Sequence, residues 1–193
     1  MVEPSGVQGR RPRADAERNR ERLMEAAKAG FAEVGPDISL EEVARRAGVG
    51  IGTLYRHFPT RDALIEAVYR RELGSFAEAG EQLSAALPPG EALHAWMRLL
   101  VDYIATKKVI AAAVATMVSD STELYASSGT RITDAMKAMI VRAAQAGDIR
   151  ADVDPEDLLR ALVGFSYGNA APGWEASAKR LIDILMDGLR QKT

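Results

Sequence analysis

Cysteine is absent from the 193 residues, which excludes disulfides and thiolate chemistry and suits a reducing compartment. Histidine is nearly absent: His57 and His94 are the two present, and no metal-ligand spacing can be made from them. No apolar run is long enough to span a bilayer, and the N-terminus is polar without a signal-peptide core. The expectation is a cytoplasmic protein with no membrane partner. Nucleophile elbows, phosphate-cradling glycine loops and metal-binding helix motifs are missing too, so no catalytic residue, cofactor or metal is expected and an enzyme is disfavoured. Nor is there a strong excess of charge. The net charge is −2, yet residues 1–70 hold 12 Lys/Arg against 11 Asp/Glu, a balance of +1, and residues 71–193 hold 13 against 16, a balance of −3. That weak asymmetry has the sign expected if the N-terminal part meets nucleic acid. Hydrophobic residues make up 47% and charged residues 27%, an ordinary globular composition with room for one small and one medium domain.

What is present is concentrated between Ser39 and Phe58, S-L-E-E-V-A-R-R-A-G-V-G-I-G-T-L-Y-R-H-F. Ser39 can cap a helix by accepting from an unpaired backbone N–H. Glu41 and Glu42 suit the positive N-terminal end of that helix, and Arg45 and Arg46 its C-terminal end. Leu40, Val43, Ala44 and Ala47 repeat at the spacing of a buried face. Gly48 can end the helix in the left-handed conformation, and Val49 reads as a plug between two helices. In the second helix Leu54 and Phe58 form the buried pair. Ser39, Gly50, Ile51, Gly52, Thr53, Tyr55, Arg56 and His57 are left as the DNA-facing set, because hydroxyls, arginine and close backbone approach serve phosphates and base edges. Two helices around a glycine turn make a helix-turn-helix unit, whose second helix enters the major groove. An ordinary helical corner would show the same apolar pattern.

The string A-G-V-x-x-G-T-L-Y-x-H-F, followed by Arg61, Leu64 and Val68, closely resembles the signature of the tetracycline repressor (TetR) family of transcriptional regulators. The resemblance covers about Ala14 to Val68. It implies an all-α fold of about nine helices, with an N-terminal three-helix helix-turn-helix domain and a C-terminal helical domain for effector binding and dimerisation. The implied function is a ligand-responsive repressor that binds a palindromic double-stranded operator as a homodimer and is released by an unknown small-molecule effector. Arg61 occupies the position where that family, more often with lysine, touches a phosphate. Gly50 departs from the usual serine, which removes one hydroxyl contact. Within the unit, Thr53, Tyr55 and His57 are expected to hold phosphates and Ile51, Gly52 and Arg56 to read bases.

The expected organisation is a disordered basic arm over 1–13 with Arg10, Arg11 and Arg13, a DNA-binding domain over 14–60 and a ligand-binding and dimerisation domain over 61–193. A helix from Asp15 to about Val34 carries Arg18, Arg20 and Arg22 on a self-paired face. Thr60 caps the helix that opens at Arg61, and Gly74 marks a possible bend. Further on, Glu91–Thr106 and Lys107–Val118 read as two helices, Ser119–Ser121 and Ser127–Gly129 as turns, and Asp154-Pro155-Glu156-Asp157 as a helix start. Met97, Tyr103, Met117, Met136, Met139 and Phe165 are soft side chains that line adaptable pockets, although such a stripe also makes plain core. Leu159, Leu162, Val163, Leu181, Leu185 and Leu189 belong to helices apolar on more than one side. Their second partner is either another subunit or the chain's own core.

Overall fold

The computed structural model describes residues 10–117, 122–167 and 173–190. These form eight α-helices and, among the described residues, no strand. They are α1 (Arg10–Glu33), α2 (Leu40–Ala47), α3 (Ile51–His57), α4 (Arg61–Ala86), α5 (Pro89–Val114), α6 (Thr122–Gln145), α7 (Pro155–Tyr167) and α8 (Trp174–Leu189). The all-α expectation holds, with eight helices in place of about nine.

The difference in number comes from α5. Glu91–Thr106 and Lys107–Val118 were expected as two helices, but the first runs unbroken to Val114 because nothing in A-T-K-K-V-I-A-A-A-V stops a helix. Ser127–Gly129, expected as a turn, lies inside α6: serine and glycine lower helix propensity without forbidding the conformation. The turn expected at Ser119–Ser121 lies outside the described residues, as does the arm over 1–9. The arm's remaining residues, 10–13, are helical, since α1 opens at Arg10.

Strong local signals act where the sequence puts them. Thr60 Oγ accepts from Ala63 N–H at 3.1 Å and starts α4. Asp154 Oδ1 accepts from Glu156 N–H at 2.7 Å and Asp157 N–H at 3.1 Å, with Pro155 opening α7 where a missing N–H costs nothing.

The chain divides into two compact units, one drawn from residues 1–69 and 109–119 and the other from 70–108 and 120–193. In the first, Leu23, Ala27, Phe31, Ile38, Val43, Leu54, Phe58, Leu64 and Val68 are buried and bring α1, α2, α3 and the start of α4 onto one core. In the second, the core is built on Trp96, Met97, Leu100, Met136, Ile140, Leu162 and Ile182, with Phe76 stacked on Tyr103 at a centroid distance of 4.8 Å.

Candidate nucleic-acid interface

Helix α2 begins as its sequence requires. Ser39 is extended (φ −73°, ψ 152°) and its Oγ accepts from Glu42 N–H at 3.1 Å, leaving its own hydroxyl proton available on an exposed residue. The helix ends at Gly48 in the left-handed region (φ 64°, ψ 37°). Gly48 N–H donates to Arg45 C=O at 3.1 Å and Val49 N–H to Ala44 C=O at 3.0 Å, the paired bonds of a Schellman termination. Val49 is half-buried, and the chain turns directly into α3 with Gly50 as an extended N-cap (φ −72°, ψ 149°). Gly50 C=O accepts from Thr53 at 2.8 Å and Leu54 at 3.2 Å.

Leu54 and Phe58, 0% and 1% exposed, pin α3 to the core. The opposite side is outward: Ile51 is 37% exposed, Tyr55 47%, Gly52 and Arg56 are exposed, and Thr53 and His57 are half-buried. A Cβ built at Gly50 or Gly52 meets nothing within 4 Å, so this face is open for close approach. Helix α3 contains no acidic residue, and the acid closest in sequence within the motif is neutralised. Glu42 receives Arg45 Nε and Nη2, both at 2.7 Å, and Arg46 Nε at 2.8 Å. Hydrogen bonds from Arg45 and then Arg46 hold the Glu42 carboxyl at about 2, well below its ordinary 4.5. Arg46 also reaches Glu33 at 2.6 Å and so ties α2 to α1.

Three arginines have partners that the sequence pattern did not anticipate. Arg18 does pair with Asp15 on the surface of α1. Arg20, however, lies over the Phe58 ring with its Cζ 4.7 Å from the centroid, and Arg22 donates to the carbonyls of Ala47 and, at 3.1 Å, Gly48. Arg61 donates from Nη1 to Ile38 C=O at 2.6 Å and from Nη2 to Pro36 C=O. The missed signal is long-range: the carbonyls held by Arg22 and Arg61 lie 23–26 residues away, and Phe58 is farther still from Arg20, all beyond any helical spacing.

The other candidate residues fall into two groups in the second unit. Of the soft side chains, Met139 lines an open groove of about 600 Å³ between α4, α5 and α6, whereas Met97 and Met136 are buried in the core and do not line that groove. Tyr103 borders a smaller recess of about 180 Å³ and Phe165 packs against the core; Met117 is grouped with the first unit. The large groove is walled by Ala77, Ser84, Ala85, Ala135 and Ala138, side chains too short to fill the gap between helices, with Trp96 at its floor. Of the apolar residues on α7 and α8, Leu162 and Leu189 are 1% and 9% exposed and face the chain's own core, so neither serves a partner face. Leu159 and Leu185 pack partly against the same core, while Val163 and Leu181 are each 39% exposed. Ile184, 67% exposed, was missing from the expected face. His94 is a structural group, bonded through Nε2 to Asp183 at 2.7 Å; that bond and the Arg98 guanidinium lower the Asp183 carboxyl below its usual range. Among the described residues, no helix is long and apolar enough to cross a membrane, and no cluster of His, Cys, Asp or Glu could hold a metal.

Comparison with known proteins agrees with this geometry. Residues 23–68 match the family of bacterial regulatory proteins of the tetR type, and residues 88–191 match the C-terminal domain of SbtR-like transcriptional regulators. A TetR transcriptional regulator from Streptomyces coelicolor is similar at 43% identity, over 90% of this chain and 99% of that one, with a TM-score of 0.78. A TetR regulatory protein from Mycobacterium vanbaalenii is similar at 35% identity, over 93% and 99%, with a TM-score of 0.77. Among curated proteins, an HTH-type transcriptional regulator of Staphylococcus aureus is 40% identical over 72 residues, which span 37% of this chain and only 39% of that relative.

Proposed function

Because the chain belongs to the TetR family of DNA-binding transcriptional regulators, which are not enzymes, we propose that it is a ligand-responsive repressor acting as a homodimer on a palindromic operator. The observation that carries this reading is the outward face of α3, with Ile51, Gly52, Tyr55 and Arg56 exposed and no acidic side chain on the helix. Such a face suits the major groove. Thr53, Tyr55 and His57 have donors for phosphate oxygens, and Ile51 and Arg56 can meet a thymine methyl and a guanine edge.

Dimerisation is supported by α8. Leu181 and Ile184, three residues apart, share its outward side, while Ala178, Ile182, Met186 and Leu189 are buried on the other. Together with Val163 of α7, also exposed, they are the apolar side chains offered to the same surface of a second copy. Two heads then meet successive major grooves ~34 Å apart. The groove beneath α4 and α6 suits a small apolar effector, and an effector that binds one head spacing better than another shifts the population away from DNA. Reciprocity requires operator to weaken the effector by the same factor.

The test is fluorescence anisotropy on duplex DNA from upstream of the chain's own gene, followed by a thermal-shift screen of small molecules. Binding at low salt that a thermal-shift hit reverses supports the reading; absence of binding at low salt removes it.

A further inference from the structure

Helix α2 is gripped at both ends by guanidinium groups from other helices. At its C-terminal end Arg22 of α1 donates to the carbonyls of Ala47 and Gly48; just before its N-cap, Arg61 of α4 donates to the carbonyls of Pro36 and Ile38. At Arg61 the arrangement suits arginine in particular, because Nη1 and Nη2 of one planar fork each hold a separate carbonyl, whereas Arg22 serves both of its carbonyls from Nη2 alone. Arg22 also puts a cation at the negative end of the α2 dipole. The turn makes room for it: a Cβ on Gly48 would come within 2.6 Å of Arg22 Nη2. Since α3 follows α2 after only Gly48, Val49 and Gly50, the direction of α3 depends on where α2 ends.

We propose that Arg22 and Arg61 are positioning residues for DNA recognition, which fix α3 by holding the main chain at the two ends of α2 and do not themselves carry a phosphate. Arg61 in particular turns two of its five N–H donors, one on each terminal nitrogen, to the carbonyls of Pro36 and Ile38. This rests on the DNA-binding reading and adds to it which cations count among the phosphate contacts.

The experiment uses the full chain and a fluorescein-labelled duplex selected by the wild-type chain from a random pool, with a scrambled duplex as control. Arg22→Lys and Arg61→Lys each keep the charge; the first loses the planar Nη2 donor and the second the two-nitrogen fork. The expected result is about a tenfold loss of affinity for the selected duplex, with scrambled-duplex affinity and the slope of log K against log salt unchanged. If lysine at 61 binds as well as arginine, or Arg61→Gln lowers the salt slope by about 0.9 and weakens both duplexes alike, Arg61 is a phosphate contact and the proposal is overturned. A pure stability role would leave the ratio of selected to scrambled affinity untouched below the melting temperature, and that also overturns it. Should the variants not fold, the wild-type chain labelled in its arginine side chains gives a second reading by NMR: the Arg22 and Arg61 guanidinium signals stay in place on adding the selected duplex. Movement of the Arg61 signals to a phosphate-bound position contradicts the proposal. A wild-type chain that selects no duplex removes the DNA-binding reading and the proposal with it.

Discussion

Gly48 carries two constraints at a single residue. Its φ of 64° places any side chain in the left-handed region, and the Cβ position is 2.6 Å from Arg22 Nη2. Gly48→Ala should therefore destabilise by roughly 1–2 kcal/mol from backbone strain alone, with displacement of Arg22 added, as read by urea denaturation. Glu42 sets the acid response of the same unit. Its carboxyl sits at about 2 in the folded chain against an ordinary 4.5, because Arg45 and Arg46 bond the charged form. A depressed folded value means that the stabilisation is fully present above about pH 4.5 and is lost as the pH falls through about 2. The urea midpoint of Glu42→Gln should lie below that of the wild type at pH 6, with the gap closing as the pH approaches 2. A gap independent of pH would mean that shape, and not charge, holds the corner. At this scale Ser39 and Gly48 were legible in the sequence, since their bonds reach neighbours within five residues, and Leu54 and Phe58 through their four-residue apolar spacing. Arg22 and Arg61 were not, because their acceptors are backbone carbonyls brought near by the fold.

Helix α3 separates folding from recognition on its two sides. Leu54→Ala removes a side chain with 0% exposure and should cost about 2–5 kcal/mol, taking DNA binding down with the fold. Tyr55→Ala, on the side that is 47% exposed, should weaken operator binding and leave the melting temperature nearly unchanged. Equal effects of the two on stability would contradict the assignment of faces. Helix α4 offers a different test. It runs unbroken through Gly74, where an added Cβ meets nothing within 4 Å. Gly74→Ala should then stabilise by roughly 0.5–1 kcal/mol in a denaturant titration, whereas a loss would show that a bend is needed there. Caps fixed the starts of α2, α4 and α7 in the sequence because each bond is local. The breaks expected within α5 and α6 are absent, since K-K is no breaker and S-S-G is a weak one that the rest of a helix overrides.

For the whole molecule, the family and the two-part helical organisation were readable from one motif, and the partner surface only in part. Periodicity marked α7 and α8 as apolar on more than one side, but could not tell Leu162 and Leu189, which the core takes, from Ile184, which is 67% exposed. Ile184→Glu should shift the chain toward monomer in sedimentation velocity without lowering its melting temperature at low concentration. An unchanged dimer would move the interface elsewhere. The same limit applied to the groove, where short alanine and serine side chains leave the gap and Glu81, Arg131, Asp134 and Arg142 also line it.

The most direct test of the account is an anisotropy titration of the selected duplex at several salt concentrations, with the stoichiometry measured on the same samples. The account predicts one dimer per palindromic duplex, an affinity that falls as salt rises, and at least a tenfold loss for Tyr55→Ala in a chain that melts like the wild type. Binding that ignores both salt and Tyr55, or no binding at low salt, would contradict it.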